Sequence, residues 1–131
     1  MVFIDTSALL AIMDADDSNH GRAKERWKDI LNGESSPVCS NYILVETFAL
    51  IQHRLGMEAV RAFQEDIIPV LTIEWVGEEL HQAGIMGVLA ASRKGLSLVD
   101  CTSFAVMRNL GIKSAFAFDR HFREQGFECV P

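Results

Sequence analysis

Short apolar runs that end in an acid constrain this chain more than any other feature of it. Met1-Val2-Phe3-Ile4 has the apolar, strand-forming content of a β-strand, Asp5-Thr6-Ser7 follows at once, and Ala8-Leu9-Leu10-Ala11-Ile12 continues as a helix. A carboxylate where a strand gives way to a helix lies at the carboxyl edge of a sheet, the crevice in which parallel α/β proteins bind ligands. The same juxtaposition returns near the C-terminus, where the apolar run 114–118 ends at Asp119. Leu98-Val99 likewise leads into Asp100 and a helix.

Between these points strands and helices alternate. Ser18 is a candidate cap for a helix over 19–31 with Ala23, Trp27, Ile30 and Leu31 on one face. Pro37 introduces a very short strand at Val38-Cys39, and an apolar helix over 42–51 runs on until Gly56. A helix over 57–67 turns Val60, Phe63 and Ile67 inward; Pro69 then precedes a strand over 70–73 and a long helix over 76–93. The helix opened by Asp100 stops at Gly111, and after the strand 114–118 come a helical turn over 120–124 and a last strand over 127–130. This alternation predicts one α/β domain over 1–131, a three-layer α/β/α sandwich around a short-stranded, mainly parallel sheet.

With 131 residues, the chain buries roughly two-thirds of its extended surface, enough for a core without staples. Cys39, Cys101 and Cys129 are odd in number and widely spaced, which argues against a disulfide framework or a zinc site and for a cytoplasmic location. The longest uncharged run, 80–92, contains His81 and is too short to span a bilayer, so no membrane association is expected. A net charge of −6 argues against a nucleic-acid partner at first sight. The charge is uneven, however: residues 1–92 carry 6 basic and 14 acidic side chains, and residues 93–131 carry 6 basic and 4 acidic ones.

Glu46 adds a fourth acid in an awkward place. Its helical neighbours at three and four residues are Tyr42, Ile43, Ala49 and Leu50, so it interrupts an apolar stripe with no basic residue to pair with. Taken singly, Asp5, Asp100 and Asp119 are each explained as helix caps and Glu46 as a residue on a helix edge. One metal site explains all four together. Like charges ~4 Å apart repel by about 4 kcal/mol at an effective dielectric of ~20, and a divalent cation reverses that sign. An all-oxygen set selects Mg²⁺ or Mn²⁺ over zinc, and such ions support phosphoryl chemistry. Thr6 and Ser7 are placed to orient Asp5 by hydrogen bonding, and His121, two residues from Asp119, is a candidate phosphate or leaving-group contact.

Ile4-Asp5-Thr6-Ser7-Ala8-Leu9-Leu10, Val45-Glu46, the segment from Ser97 to Phe104 and Phe118-Asp119-Arg120-His121-Phe122 resemble, in order and spacing, the successive motifs of PIN-domain nucleases. Within that family the chain is most similar to the VapC-like toxin ribonucleases of type II toxin–antitoxin pairs. The resemblance covers the whole chain. It implies a PIN-like fold and a Mg²⁺- or Mn²⁺-dependent endoribonuclease, with Asp5, Glu46, Asp100 and Asp119 as metal-binding, catalytic residues and Ser7 in support. It also implies an RNA substrate and a cognate antitoxin. Ala117 departs from the pattern, because many relatives have Thr or Ser two residues before the last acid, and this bears on how Asp119 is oriented.

The apolar surplus over 42–67 leads us to expect a homodimer. Alternatives to a toxin are an RNA-processing PIN protein and a catalytically silent PIN-fold RNA-binding module. A phosphatase with an aspartyl nucleophile is disfavoured, since such enzymes usually carry a second Asp where this chain has Ser7.

Overall fold

Five strands, all parallel, run through a computed structural model that describes residues 1–131. They are β1 (Val2–Ile4), β2 (Pro37–Ser40), β3 (Thr72–Glu74), β4 (Ser114–Phe116) and β5 (Glu128–Val130), in the order β3-β2-β1-β4-β5. β1 is central and fully buried, which is why its sequence is a continuous apolar run rather than an alternating one. From β1 the chain moves one way to β2 and β3, and later returns to the other side of β1 as β4 and β5. The strand order therefore reverses between β1 and β4, and Asp5 and Asp119 leave the sheet at that switch point. The backbone N–H of Asp5 donates to the Phe116 carbonyl at 3.0 Å, so the two strand ends are still joined where the acids begin.

Helices α1 (Thr6–Met13), α2 (His20–Asn32), α3 (Asn41–Arg54), α4 (Met57–Ala62), α5 (Glu78–Ala91), α6 (Leu98–Leu110) and α7 (His121–Glu124) flank the sheet. Phe3, Ile4, Leu9, Ile43, Phe116 and Phe122 are wholly buried between sheet and helices. α5 and α6 pack on each other more extensively than any other two helices, and α5 contributes glycine at the contact. A Cβ on Gly84 would stand 2.2 Å from Thr102 Oγ1, so no other residue allows this approach without a shift.

The expected helix over 57–67 is broken. α4 ends at Ala62, a single π-turn carries Phe63–Ile67, and a 3-10 turn carries Ile68–Val70. Pro69 lacks the N–H that would continue the helical ladder, and the chain turns out of it soon after, although Ile68 keeps helical backbone angles (φ −56°, ψ −40°). β3 consequently starts at Thr72 rather than at residue 70. Phe63 and Ile67 remain buried, and Val60 is half-buried. Asn19, not Ser18, is the N-cap residue of α2, with no side-chain cap bond; Asp17 instead accepts from the Asn19 N–H at 2.8 Å. α6 begins at Leu98, two residues before Asp100.

Several large apolar side chains face outward. Val45 and Met57 lie within the expected region, whereas Trp75, Met86 and Leu89 lie outside it. No helix is long and apolar enough to cross a membrane.

Candidate active site

Three helix starts bring three aspartates to one point. Asp5 caps α1, accepting through Oδ2 from the Ser7 N–H at 3.1 Å and from Ser7 Oγ at 2.6 Å. Asp100 completes a capping box on α6: its Oδ2 accepts from the Ser97 N–H at 3.0 Å while its own N–H donates to Ser97 Oγ at 3.1 Å. Asp119 accepts through Oδ1 from the His121 N–H at 3.0 Å. One carboxylate oxygen from each of the three lies within 4.8 Å of the others. Capping and clustering are thus not alternatives for Asp5 and Asp100, which do both, whereas Asp119 stands one residue ahead of Arg120, the N-cap of α7, and accepts from His121 in a local turn.

In every case one oxygen is held by a protein donor, and the other makes no hydrogen bond. Nor does any basic side chain form an ion pair with the three. Burial, then the neighbouring Asp119, and less so Asp100, push the Asp5 carboxyl up from 3.8 to about 7, against the opposing pull of the Ser7 hydrogen bonds. Three carboxylates drawn together, one buried and two half-buried, each with an oxygen free of protein donors, suit a hard divalent cation.

Ser7 is the hinge of this arrangement. Its hydroxyl donates to Asp5 and accepts from the Phe118 N–H at 3.0 Å, tying the first acid to the loop that carries the last. That loop is therefore anchored at residues 118 and 121 without a hydroxyl at position 117, where Ala117 is buried. Thr6 points elsewhere, its Oγ1 accepting from Thr47 Oγ1 at 3.3 Å and linking α1 to α3. His121 serves the site through its backbone: its Nδ1 makes no hydrogen bond and stands 3.9 Å from Glu124 Oε2.

Glu46 lies outside the 4.8 Å group. It is half-buried, and lines a groove of about 370 Å³ with Tyr42, Val45, Leu98 and Val99, the last two preceding Asp100 on α6. Ile43, Thr47 and Ile51 form the buried face of α3, so Glu46 stands at the margin of that face.

Three arginines at the cleft were not picked out as site residues by the sequence. Arg22, Arg120 and Arg123 line a cavity of about 180 Å³ together with Phe118 and Asp119. Arg120 and Arg123 carry a signal in their closeness to Asp119 in sequence, but Arg22, on α2, carries none. Ser97 was also missed, although Ser97-Leu98-Val99-Asp100 has the spacing of a capping box. Cys39 offers no competing chemistry, because burial pushes its thiol up to about 12. His20 is occupied structurally, with Nδ1 2.7 Å from the Ala11 carbonyl oxygen.

The chain belongs to the PIN-domain family, whose model matches residues 2–128. It is 38% identical over 130 residues to the 23S rRNA-specific endonuclease VapC20 of Mycobacterium tuberculosis, an alignment covering 97% of this chain and 95% of that protein. The crystal structure of Mycobacterium tuberculosis VapC20, described as a Sarcin-Ricin loop cleaving toxin, superposes with a TM-score of 0.88 at 35% identity over the whole of both chains. FitAcB from Neisseria gonorrhoeae shares the fold, with a TM-score of 0.72 at 12% identity over 100% of this chain and 97% of that one.

Proposed function

We propose that this protein is a divalent-cation-dependent endoribonuclease that hydrolyses RNA phosphodiester bonds and acts as the toxin of a type II toxin–antitoxin pair. The observation that carries the reading is the meeting of Asp5, Asp100 and Asp119, each with an oxygen free of protein donors. Those three residues would hold the cation, Mg²⁺ or Mn²⁺, and Glu46 would act from the adjoining groove. A bound divalent ion supplies charge stabilisation for the phosphoryl transition state and acidifies water. The protein's own part is orientation: Ser7 fixes Asp5, Ser97 fixes Asp100, and the His121 N–H fixes Asp119, so the donor set is assembled before substrate arrives.

The likeness to VapC20 makes 23S rRNA the first substrate to try. Purified protein is expected to cleave it with Mg²⁺ or Mn²⁺ and to stop when EDTA is added; cleavage that persists in EDTA, or none with either ion, would contradict the proposal. A cytoplasmic location and a cognate antitoxin accompany this reading. A homodimer does too, supported by outward-facing Val45, Trp75, Met86 and Leu89. Light scattering at micromolar concentration should give twice the chain mass, and a monomer mass would remove the dimer.

A further inference from the structure

We propose that Arg22, Arg120 and Arg123 form a seat for the RNA backbone beside the aspartate cluster, gripping phosphates next to the one that is cleaved. The inference rests on the ribonuclease reading and adds the substrate's position to it. These arginines come from distant parts of the chain, α2 and the segment after β4, yet line one cavity with Asp119 as a shared wall. A protein of net charge −6 has concentrated cations where the proposed chemistry needs a polyanion.

Two of the three are free of acids. Arg22 and Arg123 form no ion pair, whereas Arg120 Nε lies 3.2 Å from Glu124 Oε1. Arg22 is also held in place: its Nη2 donates to Asn19 Oδ1 at 2.7 Å, and its Cζ lies 5.4 Å from the centroid of the Phe118 ring. Phe118 in turn donates its N–H to Ser7 Oγ, the hydroxyl that orients Asp5. The guanidinium is thereby stacked on the loop that leads to Asp119, and its position is coupled to that of the aspartates. A planar fork of donors matches phosphate oxygens, and holding it in advance reduces the entropy lost on binding.

The test is binding of a fluorescently labelled single-stranded RNA, measured by anisotropy in EDTA over a series of salt concentrations. Each phosphate contact contributes about 0.7 to the slope of log K against log salt for a single strand. Arg22→Ala and Arg123→Ala should each lower the magnitude of the wild-type slope by about 0.7, and the double variant by about twice that. Arg22→Lys should keep the slope, since charge is retained. Arg61→Ala, on α4 and outside this cavity, should follow the wild type.

Unchanged slopes in the double variant would overturn the seat, as would an equal loss from Arg61→Ala or a wild type that binds no RNA. So would poly-glutamate displacing RNA with the same arginine dependence while the RNA slope stays fixed, because the arginines would then serve an acidic polypeptide. RNA that binds as expected but is cleaved with neither Mg²⁺ nor Mn²⁺ would sink the proposed function and leave the seat standing.

Discussion

Asp5→Asn is expected to lower RNA cleavage by about 100-fold or more while raising the melting temperature of the metal-free protein at pH 8. Asn keeps the size of the side chain and an oxygen able to accept from Ser7, and it caps a helix about as well as Asp. What it removes is one negative charge from the proposed donor set. The stability gain follows from the raised carboxyl of Asp5, which takes up a proton more readily in the folded chain than in the unfolded one. At pH ~3, below the ordinary aspartate value, folded and unfolded chains are both protonated and the residue costs nothing. As pH rises from 3.8 to about 7 the wild type progressively loses stability, and above that range the loss is complete. Its size is on the order of a few kcal/mol, and Asn, neutral throughout, escapes it. Melting curves in EDTA at pH 4 and pH 8 should therefore differ little at the lower pH, where the loss has only begun, and separate clearly at the higher. A variant that cleaves like the wild type would place Asp5 outside the chemistry; equal melts at pH 8 would show that neither burial nor the neighbouring acids penalise the Asp5 carboxylate.

Phe122→Ala should lower stability by roughly 3–5 kcal/mol, the usual cost of emptying a large aromatic site in a core. The ring is fully buried, 5.1 Å from Phe104 in an edge-on arrangement and 6.2 Å from Phe3 on the central strand. For a chain of this length that corresponds to a fall in melting temperature on the order of 10–20 °C. The consequence reaches the site, because Phe122 is the buried residue of α7 and follows directly on His121, whose N–H holds Asp119. Cleavage at 25 °C, well below the variant's melt, should fall as well, with Phe122→Leu intermediate in both measurements. Full activity in a strongly destabilised Phe122→Ala protein would mean that Asp119 is positioned without α7.

The sheet and the aspartates were legible because both rest on local signals. An apolar run followed by Asp and a helix start reads the same way at Asp5 and Asp119, and the parallel order around β1 follows from alternation of strands and helices. Glu46 was legible as an anomaly but not as a position. How far its carboxylate stands from the others depends on the packing of α3 against α1 and α6, which no spacing within 41–54 encodes. Thr6 shows the same limit, since which way a hydroxyl at a helix start turns is decided by Thr47, 41 residues away. The π-turn at Phe63–Ile67 was hidden for another reason: the inward spacing of Phe63 and Ile67 is kept while the hydrogen bonding changes beneath it. Arg22 reaches the cleft only through the tertiary fold, and its exposed position on α2 reads in the sequence as ordinary solvated surface.

Direct titration of Mn²⁺ into the metal-free protein by calorimetry tests the shared cation site most directly. We expect the wild type to bind, and Asp5→Asn, Asp100→Asn and Asp119→Asn each to bind at least about tenfold more weakly, because each removes a charge from one donor set. Wild-type affinity in any two of these variants would contradict a site built from the three aspartates.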